Sequence, residues 1–145
     1  SAASDVYKRQ KSQKESAIEE EERTEQQKLF LQYTQALADY NEQVQKGIGL
    51  DKKQSILEGI QTRFKGTSVD ISTVVRELRS LKVAQARAKK DFDLSMNFYR
   101  RLVQQGASIT ERRSMLERIL QKYRNSGVDI KEATDEMDYL KSRED

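Results

Sequence analysis

The chain has 145 residues, of which 35% are apolar and 35% charged, and its 27 basic and 24 acidic side chains leave a net charge of +3. That length suits one domain, but ordinary domains run near 45–50% apolar and about 25% charged, so this chain can bury narrow seams between helices and not a thick core. With no Cys, His or Pro it is excluded from disulfide, thiolate and the usual zinc chemistry, and no window approaches the ~18 apolar residues of a membrane span.

Residues 1–10, SAASDVYKRQ, resemble the translation of a transposase-type sequencing adapter, and the match covers the whole stretch. The resemblance implies a disordered leader foreign to the natural protein, followed by a truncated metagenomic fragment. Residues 11–28 are polar, with Lys11 and Lys14 followed by Glu15, Glu19, Glu20, Glu21, Glu22 and Glu25. They read as a solvated helical extension whose charge run is a wet face. From Leu29 the pattern tightens. Phe30, Tyr33, Leu37, Tyr40 and Val44 recur at steps of three and four, which places them on one helical stripe. Gly47, which can take the left-handed conformation without a Cβ penalty, ends that helix.

A second, short helix is expected from Asp51 as its N-cap, with Leu57, Ile60 and Phe64 as its stripe and Gly66 beyond its end. Asp70 then caps a third helix, with Val69 and Val74 placed for a hydrophobic staple. The stripe Ile71, Val74, Leu78, Leu81, Ala88, Phe92, Met96, Tyr99 and Val103 runs on without Gly or Pro to Gly106, so the spacing predicts one long helix over residues 71–104. The start of the run KKDFDLSMNFYRRL is also similar to the turn before the second helix of a tetratricopeptide hairpin, which would instead break the chain at residues 89–91. Ala84, Ala86 and Ala88 favour continuity. A fourth helix starts at Ser108 or Thr110 and carries Met115, Leu116, Ile119 and Tyr123. A fifth, capped by Asp129 with Glu132 as its capping-box partner, carries Ala133, Met137 and Leu140.

These elements are one module written twice. Val69, Asp70 and Ile71 return as Val128, Asp129 and Ile130, an offset of 59 (128 − 69) that aligns 14 identities over residues 40–82 against 99–141. Among them are Tyr40/Tyr99, Val44/Val103, Gly47/Gly106, Leu57/Leu116, Ile60/Ile119, Glu77/Glu136 and Leu81/Leu140. A fixed period of this kind marks a repeat architecture, in which each unit hides its apolar stripe against its neighbour. The expected fold is therefore all-α: an elongated bundle of about five long and short antiparallel helices, spectrin-like or solenoid-like. Repeat 1 spans residues 29–87 and repeat 2 residues 88–145, cut short, since the offset would carry the fifth helix to about position 163 (104 + 59).

No catalytic, cofactor or metal site is expected. Without His there is no base for a nucleophile, and the glycines stand at helix ends rather than in a phosphate-cradling loop. A basic stretch over residues 76–113 includes Arg76, Arg79, Lys82, Arg87, Lys89, Lys90, Arg100, Arg101, Arg112 and Arg113, and offers a surface for acidic partners or phosphates. The near balance of charge argues against a dedicated nucleic-acid module, and the absence of Cys suits a cytosolic setting. The pattern over residues 40–141 resembles helical repeats of uncharacterised marine archaeal proteins, and the segment "G…I-T-E-R-R…L-E-R-I-L" is similar to hairpins in phage tail tape-measure proteins. Both resemblances imply scaffolding or protein–protein contact and no catalysis, and the unpaired apolar stripe expected at each cut end suits self-association through helical faces.

Overall fold

The computed structural model describes residues 2–143, and among them the fold is all-α. Five helices follow in order: α1 Ala2–Lys46, α2 Leu50–Phe64, α3 Ser72–Gln104, α4 Ile109–Tyr123 and α5 Lys131–Ser142. The third is continuous through residues 89–91, so there is no tetratricopeptide-like break. At 33 residues and 1.5 Å per residue it is about 50 Å long.

α3 belongs to two bundles. Its first half packs with α2 and the end of α1, and Tyr33, Tyr40, Leu57, Ile60, Phe64, Val74 and Leu81 form one buried cluster. Its second half packs with α4 and α5 around Phe92, Met96, Tyr99, Leu116, Ile119, Leu120, Tyr123, Ala133, Met137 and Leu140. Leu78 and Val103 are half-buried, each against its own cluster. The clusters correspond position by position. Tyr33 meets Phe64 edge-on at 5.4 Å and 77°, while Phe92 meets Tyr123 at 5.5 Å and 78°, and both partners in the second pair lie 59 residues on (92 − 33 and 123 − 64). The turn after the short helix repeats as well. Thr67 Oγ1 donates to the Phe64 carbonyl at 2.7 Å, and Ser126 Oγ donates to the Tyr123 carbonyl at 2.7 Å. The Val69 and Val128 amides then donate to those same hydroxyl oxygens, each at 3.2 Å.

Several expectations are corrected by the local geometry. Residues 2–10 continue α1 rather than lying disordered, because Ala2–Lys46 holds no Gly or Pro and is rich in strong helix formers. Phe30 is 60% exposed; the stripe enters the bundle at Leu29 and Tyr33 instead. Asp51 is not the N-cap of α2. Gly49 is, at φ −78°, and Asp51 lies in the first turn, where its carboxylate suits the positive end of the helix dipole. Thr110 does not cap α4 either. Ser108 does: its Oγ accepts from the Glu111 amide at 3.1 Å, and the Glu111 carboxylate accepts from the Ser108 amide at 3.3 Å, a complete capping box. Asp70 and Asp129 stand one residue before the caps of α3 and α5, which are Ile71 and Ile130. Their carboxylates accept from the Ser72 amide at 2.9 Å and the Lys131 amide at 3.0 Å, so each still satisfies the first exposed donor of its helix. Glu132 turns away from this cap to Arg100. The left-handed conformation that Gly66 takes at φ +81° falls in repeat 2 not at the equivalent Asn125 but two positions on, at Gly127, φ +80°. α5 spans Lys131–Ser142, and the expected extension toward position 163 lies outside the described residues.

Candidate interaction surface

Among the described residues, no group of three or more His, Cys, Asp or Glu is placed to hold a metal ion. No helix among them is long and apolar enough to cross a membrane. The features that face outward are the junction between the two bundles, a half-buried polar cluster in the second, and the outer face of α3.

The junction falls at the middle of α3. There the end of α4 meets the start of α2, and Gly47, Gly49, Leu50, Ala84, Arg87, Ala88, Asp91, Lys122 and Asn125 line an open groove of ≈ 680 Å³. The Asn125 carbonyl accepts from the Asp51 amide at 3.3 Å. One of the exposed donors at the start of α2 is therefore satisfied by the other repeat rather than by a cap of its own. A Cβ on Gly49 would collide with the backbone and Cβ of Asn125, so this N-cap has no room for the serine that occupies the equivalent position, 108 (49 + 59), in repeat 2. On the other side of the same junction, Gln85 of α3 donates to Gln54 of α2 at 2.5 Å and lies against Gly127. Sequence reasoning missed this contact. Its one signal was that Gly49 stands where the second copy has Ser108.

In the second bundle Arg112 Nε donates to Tyr99 Oη at 3.3 Å and Arg112 Nη2 to Glu136 at 3.1 Å, with the Arg112 side chain 19% exposed. Burial pushes the Tyr99 hydroxyl above its ordinary value of 10.0, opposed by the Arg112 hydrogen bond. The hydrogen bond to Tyr99, and after it Glu136, hold the Arg112 guanidinium protonated. Tyr40, Lys53 and Glu77 occupy the equivalent positions in repeat 1, and burial likewise raises the Tyr40 hydroxyl. The shorter, single-headed lysine makes no salt bridge to Glu77, whereas the forked arginine reaches both partners. This cluster ties α3, α4 and α5 together and is structural.

The basic stretch expected from the sequence does not form one patch. Arg112 is held by Glu136, Arg100 by Glu132 and Asn97, and Arg113 is half-buried and engaged. Lys82 and Lys89 are exposed on the flanks of α3. The rest fall on a single ridge. Arg76, Arg79, Val83, Arg87, Lys90, Leu94, Phe98 and Arg101 follow one another at steps of three or four, all exposed, on the side of α3 opposite its buried stripe. Five are basic and none is acidic. Val83, Leu94 and Phe98 are 55%, 58% and 54% exposed. Among the described residues none of the five cations stands in a salt bridge, though Arg76 is near enough to Asp70 to help hold its carboxyl low.

Comparison with protein families, curated proteins and solved structures gives no match to this chain.

Proposed function

We propose that this chain is a structural and protein–protein interaction segment: a helical-repeat scaffold that holds its two bundles at a fixed spacing and presents helical faces to protein partners. The observation that carries this reading is the shared α3. One unbroken helix serves both bundles, so the two repeats keep a set distance and angle. Contacts between neighbours along the rod then determine stability, as in other repeat proteins. The resemblance to scaffolding repeats points the same way. The test is an interspin distance measurement with labels at the equivalent exposed positions Ser55 and Ser114. A rigid spacer gives one narrow distribution that does not change with salt; a broad or two-peaked distribution would dismiss the reading.

A second reading is favoured by the acid-free ridge on α3, which offers five cations to a phosphate backbone. Anisotropy titrations with duplex DNA and single-stranded RNA separate the two readings. Affinity that falls steeply with salt, and that is lost in an Arg87→Glu/Lys90→Glu variant, would favour nucleic acid. Absence of salt-dependent binding leaves the scaffold.

A further inference from the structure

The stripe by which α1 enters the first bundle does not stop at Leu29. It continues toward the N-terminus at the same steps of three and four through Glu25, Glu22, Ile18, Glu15 and Lys11, all exposed, with Ile18 at 55%. Among the described residues nothing covers this extension, because α2 ends at Phe64 against Tyr33. The extension does not copy the repeat. Positions 15, 19 and 22 are the equivalents of Val74, Leu78 and Leu81 (each 59 on), yet all three are glutamates. This segment thus lacks the apolar residues to seal a bundle of the kind its neighbours make, and carries instead an apolar residue flanked by carboxylates. The outer ridge of α3 has the inverse pattern: Val83, Leu94 and Phe98 flanked by Arg76, Arg79, Arg87, Lys90 and Arg101, with no acid. The two strips are also compatible in length. Residues 11–25 span about 20 Å and residues 76–101 about 38 Å at helical rise, so the acidic strip fits within the basic one.

We infer that these two strips are the halves of one interface, the acidic face of α1 in one copy of the chain lying along the outer face of α3 in a second copy. The inference rests on the interaction reading above and names its surface and its occupant. Opposite charges at the flanks steer the helices and fix their pairing, while Ile18 gains apolar cover from the Val83, Leu94 and Phe98 row. Because the surfaces differ, the contact is either exchanged reciprocally in a dimer or continues from copy to copy.

Sedimentation velocity on the full chain tests this. The wild type associates in low salt, about 50 mM, and dissociates at about 1 M, where the screening length has fallen to roughly 3 Å. A Glu15→Lys/Glu22→Lys/Glu25→Lys variant and an Arg87→Glu/Lys90→Glu/Arg101→Glu variant each stay monomeric in low salt, because each sets like charges against like. Mixed one to one, they form a complex, since the new lysines of one now face the new glutamates of the other. All six positions are exposed and helical, and unchanged circular dichroism confirms that both variants fold. A wild type that stays monomeric in low salt overturns the inference, as does association that survives either triple substitution or a mixture that fails to pair. Monomers that bind anionic vesicles or duplex DNA in place of each other also overturn it. Interspin distances taken on labelled chain diluted in excess unlabelled protein report only pairs within one copy, so they judge the scaffold reading separately.

Discussion

At the residue scale, closely similar positions in the two copies do different work, and the differences can be measured. Tyr33 and Tyr123 carry buried hydroxyls with no hydrogen-bond partner, while their counterparts Phe92 and Phe64 carry none. Tyr99, by contrast, accepts from Arg112. Tyr123→Phe should therefore leave stability unchanged or raise it by up to about 1 kcal/mol, whereas Tyr99→Phe should lower it by about 1 kcal/mol. Urea unfolding of the two variants side by side checks the contrast. Gly49→Ala should destabilise by roughly 1–3 kcal/mol, because the new methyl group meets the backbone of Asn125. The same substitution at Gly59, where a Cβ meets open space in mid-helix, should stabilise slightly by ordinary helix propensity. The two thermal midpoints should shift in opposite directions.

Asp70 makes a prediction in pH. The Ser72 amide hydrogen bond, and after it the Ser72 side chain and Arg76, hold its carboxyl below the ordinary 3.8. A depressed folded value contributes stability that is present above 3.8 and is lost as pH falls through the lower, folded value. Wild type and Asp70→Asn should thus differ at neutral pH and converge as the solution is acidified below that range. At the alkaline end the sign reverses. Burial raises the Tyr33, Tyr40 and Tyr99 hydroxyls above 10.0, so the native state loses stability as pH climbs through those raised values.

At the element scale, much of the molecule could be read from sequence. The 59-residue period, the uninterrupted stripe from Val74 to Val103 and the glycines at 47 and 106 follow from local chemistry, and the structure has the corresponding helices with φ +90° and +87° at those glycines. The caps were less legible, for two physical reasons. Ser108 and Thr110 are both good capping residues, and only Glu111 at the third position decides for Ser108. Asp51 looked like a cap because its real substitute, the Asn125 carbonyl, comes from 74 residues away (125 − 51) and belongs to the backbone, which no side-chain pattern announces. The outer ridge of α3 was hidden for a third reason. Counted along the chain, its cations merge with Arg100 and Arg112, which point elsewhere and are already paired. Leu116→Ala should cost about 2–5 kcal/mol, since that side chain is fully buried. An interior proline at Ala88 should cost about 3 kcal/mol or more in the helix itself and separate the two bundles. Hydrogen exchange would then report two unfolding units in place of one.

At the scale of the whole molecule, two bundles share one helix and meet only around its middle. The contact there is small, a carbonyl, a glycine and a pair of glutamines, yet it sets the order in which α2 and α4 line up end to end along α3. The carbonyl end of α4 faces the amide end of α2, so the two short helices have their dipoles head to tail, an arrangement that favours the alignment. Losing that contact through Gly49→Ala should broaden the Ser55–Ser114 interspin distribution without unfolding either bundle.

The continuity of α3 acts like the thread of a screw. A single residue inserted near Ala88 would carry the second bundle forward by about 1.5 Å and swing it by roughly 100° about the axis, because each residue advances and turns the helix by those amounts. Insertions of seven or eleven would nearly restore the original bearing while lengthening the rod. The number of residues between the two cores is thus an angular setting as well as a length, and any partner that must touch both bundles at once reads it as such.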